Sequence, residues 1–176
     1  MVSYGPDIQN MNFTHMTEFV DYRSKVAPQI CINSGSIYDL IHKHPQMTKF
    51  KLIVHRANMI GRLNDEQAQC TVFIPLDDFL KHIPDSYFQT MDDGLARQIV
   101  DASTLKVPID GNLLISSPVA YYYTRNDKMR MYITNISRKT EVNKCATVIK
   151  FNIPCSNGIV HIVNNIVAPN EDTFMN

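Results

Sequence analysis

The chain contains no tryptophan, only six glycines in 176 residues, and no net formal charge. So few glycines leave little material for a glycine-rich phosphate loop, and no such motif occurs. The balance of 17 basic against 17 acidic residues argues against a partner held by bulk charge, so neither nucleic acid nor an acidic membrane is expected. A run of about eighteen apolar residues is also missing, which excludes a sequence-predicted membrane-spanning helix. The opening M-V-S-Y-G-P-D-I-Q-N has neither a basic nor an apolar leader region, so the chain is expected to remain intracellular. Cys31, Cys70, Cys145 and Cys155 are scattered, with no C-x-x-C and no histidine at metal spacing. They are expected to be buried free thiols, and no metal or cofactor is expected.

What the chain does have is apolar strand material. Hydrophobic residues make up 44% of it, an ordinary globular composition for one domain with an extension. The stretch 157–169, N-G-I-V-H-I-V-N-N-I-V-A-P, begins with a turn dipeptide and continues as a β-branched run closed by Pro169. It reads as one strand, 159–167, buried on both faces. Alternation places His161 with Ile159 and Val163, opposite Val160 and Ile162. A second stretch, 71–80, T-V-F-I-P-L-D-D-F-L, reads as a strand running into Pro75, with Asp77 capping a short helix.

Together the two stretches resemble the paired motifs of the fasciclin domain, roughly T-V-F-A-P-T-[DN]-x-A-F and N-G-x-I-H-x-I-D-x-V-L-x-P. Thr71, Val72, Phe73, Pro75 and Asp77 match the first motif, and Asn157, Gly158, His161, Val167 and Pro169 match the second. An upstream S-I-Y-D-L-I-H-K-H-P looks like the family's opening helix. The resemblance implies an N-terminal extension over 1–33, a fasciclin-like domain over 34–170 and a short tail over 171–176. It also implies an α+β wedge, with a helical layer packed on a small twisted sheet.

The local pattern agrees with that class. Residues 14–27 carry helical spacing, Ser36 and Asp39 form a capping box, and Pro45 is expected to open a second helix stopped at Gly61. Helices are expected over 77–82 and 92–102, then strands over 113–116, 119–124, 129–134 and 145–153, with Asn126-Asp127 turning a hairpin. Helices first and strands afterwards make an α+β domain.

No catalytic constellation emerges. There is no G-x-S-x-G, adjacent Asp77 and Asp78 would not face each other on a helix, and His42, His44 and His55 lie among lysines and arginines rather than carboxylates. His161 reads as a hydrogen-bonded core histidine. A basic-aromatic stretch includes Tyr121, Tyr122, Tyr123, Arg125, Lys128, Arg130, Tyr132, Arg138, Lys139 and Lys144. Consecutive tyrosines point to opposite faces of a strand, so these three do not form one nucleic-acid stacking platform. Arg125, Lys128, Arg130, Arg138 and Lys139 are instead the candidate protein-interaction surface, facing acidic Asp77, Asp78, Asp85, Asp92 and Asp93 of a neighbour. Sequons stand at Asn12 and Asn135. The Tyr-His pair associated with integrin binding in animal relatives is missing from 98–108, so that activity does not carry over.

The expected function is a non-enzymatic structural or interaction module that binds other proteins and no small-molecule substrate, as a component of an assembly such as a virion or capsid. The alternative is an extracellular adhesion module engaging a receptor or matrix.

Overall fold

A computed structural model describes residues 35–169. The expected helix at 14–27, Cys31, the Asn12 sequon and the tail lie outside the described residues. Helices α1 (Ile37–Lys43), α2 (Thr48–Arg56) and α3 (Ile60–Leu63) lead into strand β1 (Cys70–Pro75) and a 3-10 turn, Asp77–Leu80. Next come α4 (Asp85–Gln89), α5 (Asp93–Ala102), β2 (Thr104–Leu105) and α6 (Gly111–Leu114). The chain then forms β3 (Val119–Tyr123), β4 (Arg130–Ile136), β5 (Lys139–Val142), β6 (Ala146–Cys155) and β7 (Gly158–Val163). This is the α+β class, with N-terminal helices packed on a seven-stranded mixed sheet.

The strand order is β2-β1-β7-β6-β5-β4-β3. Among the described residues only β1 and β7, the two motif strands, run parallel, with Val72 beside Val160 and Phe73 beside His161. The sheet curls until its ends meet. Leu105 of β2 bridges to Thr124, and Tyr123 O accepts from Lys106 N at 3.2 Å.

Two cores result, one on each side of the motif strands. Val72, Ile74, Val160 and Ile162 join Ile37, Ile41, Phe50 and Val54 beneath the helices. Phe73 and Val163 face inward with Leu105, Met131, Ile133, Val142 and Phe151. Every residue of β1 is buried, so its unbroken apolar sequence follows from having a core on both faces. Each large side chain buried in this way contributes ~2 kcal/mol.

Several boundaries differ from the sequence reading. The α1 capping box is present, with Asp39 N donating to Ser36 Oγ and Ser36 N to Asp39 Oδ2. However, α2 starts at Thr48 rather than Pro45. Its stop is Asn58, at φ 58°, while Gly61 lies inside α3. Residues 113–116 are not a strand. The Asp110 carboxylate accepts from Leu113 N at 2.9 Å and starts α6 there. Helix α4 and strands β2 and β5 were not anticipated, the last because K-T-E-V carries little apolar material. The β7 strand ends at Val163 rather than Val167, because the Asn164 side chain accepts from Thr147 N of β6 and the Asn165 side chain donates to Cys145 O just before β6.

Candidate interaction surfaces

The motif residues build a buried frame. Gly158 lies so close to β1 that a Cβ there would sit 1.9 Å from Cys70 O, and its φ of 151° also disfavours a side chain. Asn157 is fully buried. Its Oδ1 accepts from Ile37 N at 2.8 Å, and its Nδ2 donates to Leu63 O at 2.9 Å and Asp65 O at 3.2 Å. One side chain therefore ties the start of α1 and the end of α3 to the head of β7.

Thr71 and His161 converge on one surface loop. Thr71 Oγ1 donates to Val107 O at 2.7 Å and accepts from Ile109 N at 2.7 Å. On the neighbouring strand, His161 Nε2 lies 2.8 Å from Ile109 O, and Nδ1 accepts from Asn152 N at 3.1 Å. With Nδ1 accepting, the proton belongs on Nε2, which donates to Ile109 O and fixes the neutral tautomer. Phe73 and Phe151 flank the ring at centroid distances of 5.2 and 5.7 Å. The motifs thus hold Val107, which is 54% exposed, at the rim of an open groove of about 490 Å³ lined also by Gln67, Gln69, Lys106 and Arg125.

Asp77 does not cap the turn that follows it. Its carboxylate reaches back to α2, accepting from Lys49 N at 2.9 Å and from the Thr48 backbone and hydroxyl. Negative charge at the head of α2 complements the helix dipole. Other aspartates of the acidic half are also engaged. Lys49 pairs with Asp85, Lys81 lies 3.5 Å from Asp78, and Asp92 caps α5 through Gly94 N and Leu95 N.

The five basic residues of the candidate surface are not brought together. Arg125 lines the groove, Lys128 is exposed in the β3–β4 turn, and Arg130 begins β4. Arg138 occupies the β4–β5 turn and Lys139 begins β5, at the opposite end of a seven-residue strand about 23 Å long. Ser137 and Arg138 have φ of 53° and 65°, an uncommon conformation for residues other than glycine or asparagine. The Asn135 sequon is engaged as well, since its Nδ2 donates to Leu114 O and Ser117 O.

Cross-strand pairing produces a surface the sequence did not reveal. Tyr121 lies opposite Tyr132 with ring centroids 4.9 Å apart. The Arg130 guanidinium covers Tyr121 at 3.9 Å, and Lys144 lies 5.2 Å from Tyr132. This cation–aromatic stack is flanked by Val119 and Tyr123, 49% and 66% exposed. The missing signal was the register that pairs β3 with β4.

Buried titratable groups lie away from this face. Burial pushes the Cys155 thiol up to about 12, aided by nearby Cys70, and raises Cys70 and Cys145 too. These three cysteines are free and protonated, which makes them poor nucleophiles. Burial lowers the Lys150 ammonium to about 8, and both burial and Lys150 depress His44. Among the described residues, no three His, Cys, Asp or Glu side chains gather as a metal site, and no helix is long and apolar enough to cross a membrane.

A parallel motif pair between two cores, bracing a surface loop and a curled sheet, defines an α+β scaffold. The fasciclin domain profile matches residues 45–169, and the chain belongs to that family. Its domains are typically adhesion or interaction modules and are generally non-catalytic. Among solved structures, the chain is similar to a fasciclin domain pair from the insect cell adhesion molecule fasciclin I, with 16% identity and a TM-score of 0.65. The match covers 79% of this chain and 52% of that one, so this chain spans about half the length of the domain pair. A search of curated protein sequences finds no match.

Proposed function

We propose that the chain is a non-catalytic adhesion or interaction module that contacts another protein through the outer face of the β3–β4 hairpin. The observation that carries this reading is the stack Arg130–Tyr121–Tyr132–Lys144, in which Tyr121 and Lys144 are exposed and Arg130 and Tyr132 half-buried, with exposed Val119 and Tyr123 beside it. Tyrosine and arginine are the residues that most often anchor protein interfaces, and here they are held in place before any partner arrives. Family membership favours an adhesion role. Neither the fold nor the comparisons support a virion or capsid role.

The test uses beads coated with the chain and presented to cells and to extracellular matrix. Beads bearing the wild type should be retained. Beads bearing Tyr121→Ala/Tyr123→Ala/Arg130→Ala, with native circular dichroism, should lose at least tenfold in retention. Equal retention of the two, or no retention of either, would overturn the reading.

A further inference from the structure

Among the described residues, the outer edge of β3 is unpaired where the stack is exposed. Tyr123 O turns away from β4 to accept from Lys106 N, whereas Pro118 O and Thr124 N bond β4-side groups, Asn135 N and Met129 O. Strand alternation therefore points the amides and carbonyls of Val119 and Tyr121 outward, away from β4. Among the described residues no strand pairs with them, and the isolated bridge to β2 begins only at Thr124. Nothing within V-A-Y-Y-Y guards this edge: the strand contains no lysine, proline or other charge.

Directly beside the open edge lies a fixed cation. The Arg130 guanidinium lies over the Tyr121 ring, and its Nε is buried with no hydrogen-bond acceptor. The ring faces of Tyr121 and Tyr132 are already occupied by Arg130, by each other and by Lys144. Bases would therefore find little to stack upon, which disfavours nucleic acid. What the face still offers is a guanidinium for a carboxylate, apolar contact at Val119 and Tyr123, and two residues of unused backbone.

We infer that β3 accepts an extended acidic peptide segment of a partner protein as an added strand, hydrogen-bonded to Val119 and Tyr121, with a carboxylate opposite Tyr121 bound by Arg130. This rests on the hairpin being the contact surface and adds the chemistry of the partner. Main-chain pairing would supply much of the affinity, and the alternate side chains the choice of partner. The favoured sequence has an apolar residue two positions from the acid, because residues two apart share a face and that residue meets Val119, whereas the place opposite Tyr123 is already taken by Lys106.

The probe is acetyl-Ser-Val-Thr-Glu-Thr-Val-Ser-amide, titrated into the full ¹⁵N-labelled chain and followed by amide chemical shifts. Saturable shifts centred on Val119 and Tyr121 are expected, with affinity at least tenfold weaker for the Gln-for-Glu peptide. Arg130→Gln should remove that Glu preference. Val119→Pro removes an outward donor without touching the β4 ladder, and should weaken both peptides. Shifts centred on the Lys106–Arg125 groove, no saturation, or insensitivity to both variants would overturn the inference. So would sedimentation showing that β3 is covered by a second copy. If the bead assay still depends on Tyr121 and Arg130 while the peptide fails to bind, the contact surface stands and strand addition falls.

Discussion

The two motif strands and the β3–β4 hairpin belong to one sheet, yet their polar groups serve opposite ends. In β1 and β7 the polar side chains are buried and turned inward: Thr71 and His161 hold the 107–109 loop, and Asn157 joins two helices to the sheet. In β3 and β4 the aromatic and cationic groups stack on the outside, where Tyr123 is 66% exposed. Substitutions in the first region should therefore cost stability, and those in the second should cost recognition with little loss of stability.

The largest effect is expected at Gly158. Alanine there would overlap Cys70 O, a backbone atom in a parallel strand pair, so Gly158→Ala should fail to fold or unfold at room temperature, as read by circular dichroism. Asn157→Ala would strand Ile37 N and Leu63 O beneath the helices. Its expected cost is ~3 kcal/mol in urea unfolding, since each orphaned buried group costs about 1–3 kcal/mol. A value below about 1 kcal/mol would remove Asn157 from the frame. His161→Phe preserves the aromatic packing but loses the bonds to Asn152 N and Ile109 O. It should cost ~2 kcal/mol and speed amide exchange at Asn152.

The pH dependence sharpens the same contrast. Lys150 loses its proton at about 8 when folded, against 10.5 for the ordinary group, so the unfolded chain holds more protons between those values. Its effect on unfolding free energy is a rise with pH through that window, and it changes nothing below it. Buried Cys155 acts with the opposite sign above its ordinary value of 9.0, since its folded value is raised to about 12. Cys70 and Cys145, also raised, act in the same direction as Cys155, so the Lys150 gain starts near pH 8 and is offset as pH approaches and passes 9. Lys150→Met should flatten it. The smallest effect is expected at the β4–β5 turn, where Ser137→Asn/Arg138→Gly should stabilise by ~1 kcal/mol by relieving two left-handed residues. It should leave bead retention unchanged.

The frame was legible in the sequence because a strand packed on both faces must be apolar almost throughout. The polar exception His161 stood out and is hydrogen-bonded. The partners were not legible: Ile109 lies 52 residues from His161, and only the fold joins them. Asp77 shows the limit of local reasoning. Its spacing suited a cap for its own turn, but the head of α2, 28 residues earlier, takes the carboxylate. Residues 113–116 look like a strand by composition, and Asp110 starts a helix there instead. The surface was the least legible feature. Charge alone grouped Arg130 with Arg138 and Lys139, whereas strand register separates them and puts Arg130 over Tyr121.

Native-state amide hydrogen exchange on the full chain, without a partner, tests the division most directly. The amides of Ile37, Cys70, Ile109 and Asn152 should exchange only through global unfolding, because each is held by the frame. Those of Val119 and Tyr121 should exchange with little protection. If Val119 and Tyr121 proved as protected as Cys70, the β3 edge would be covered and the contrast between frame and surface would be wrong.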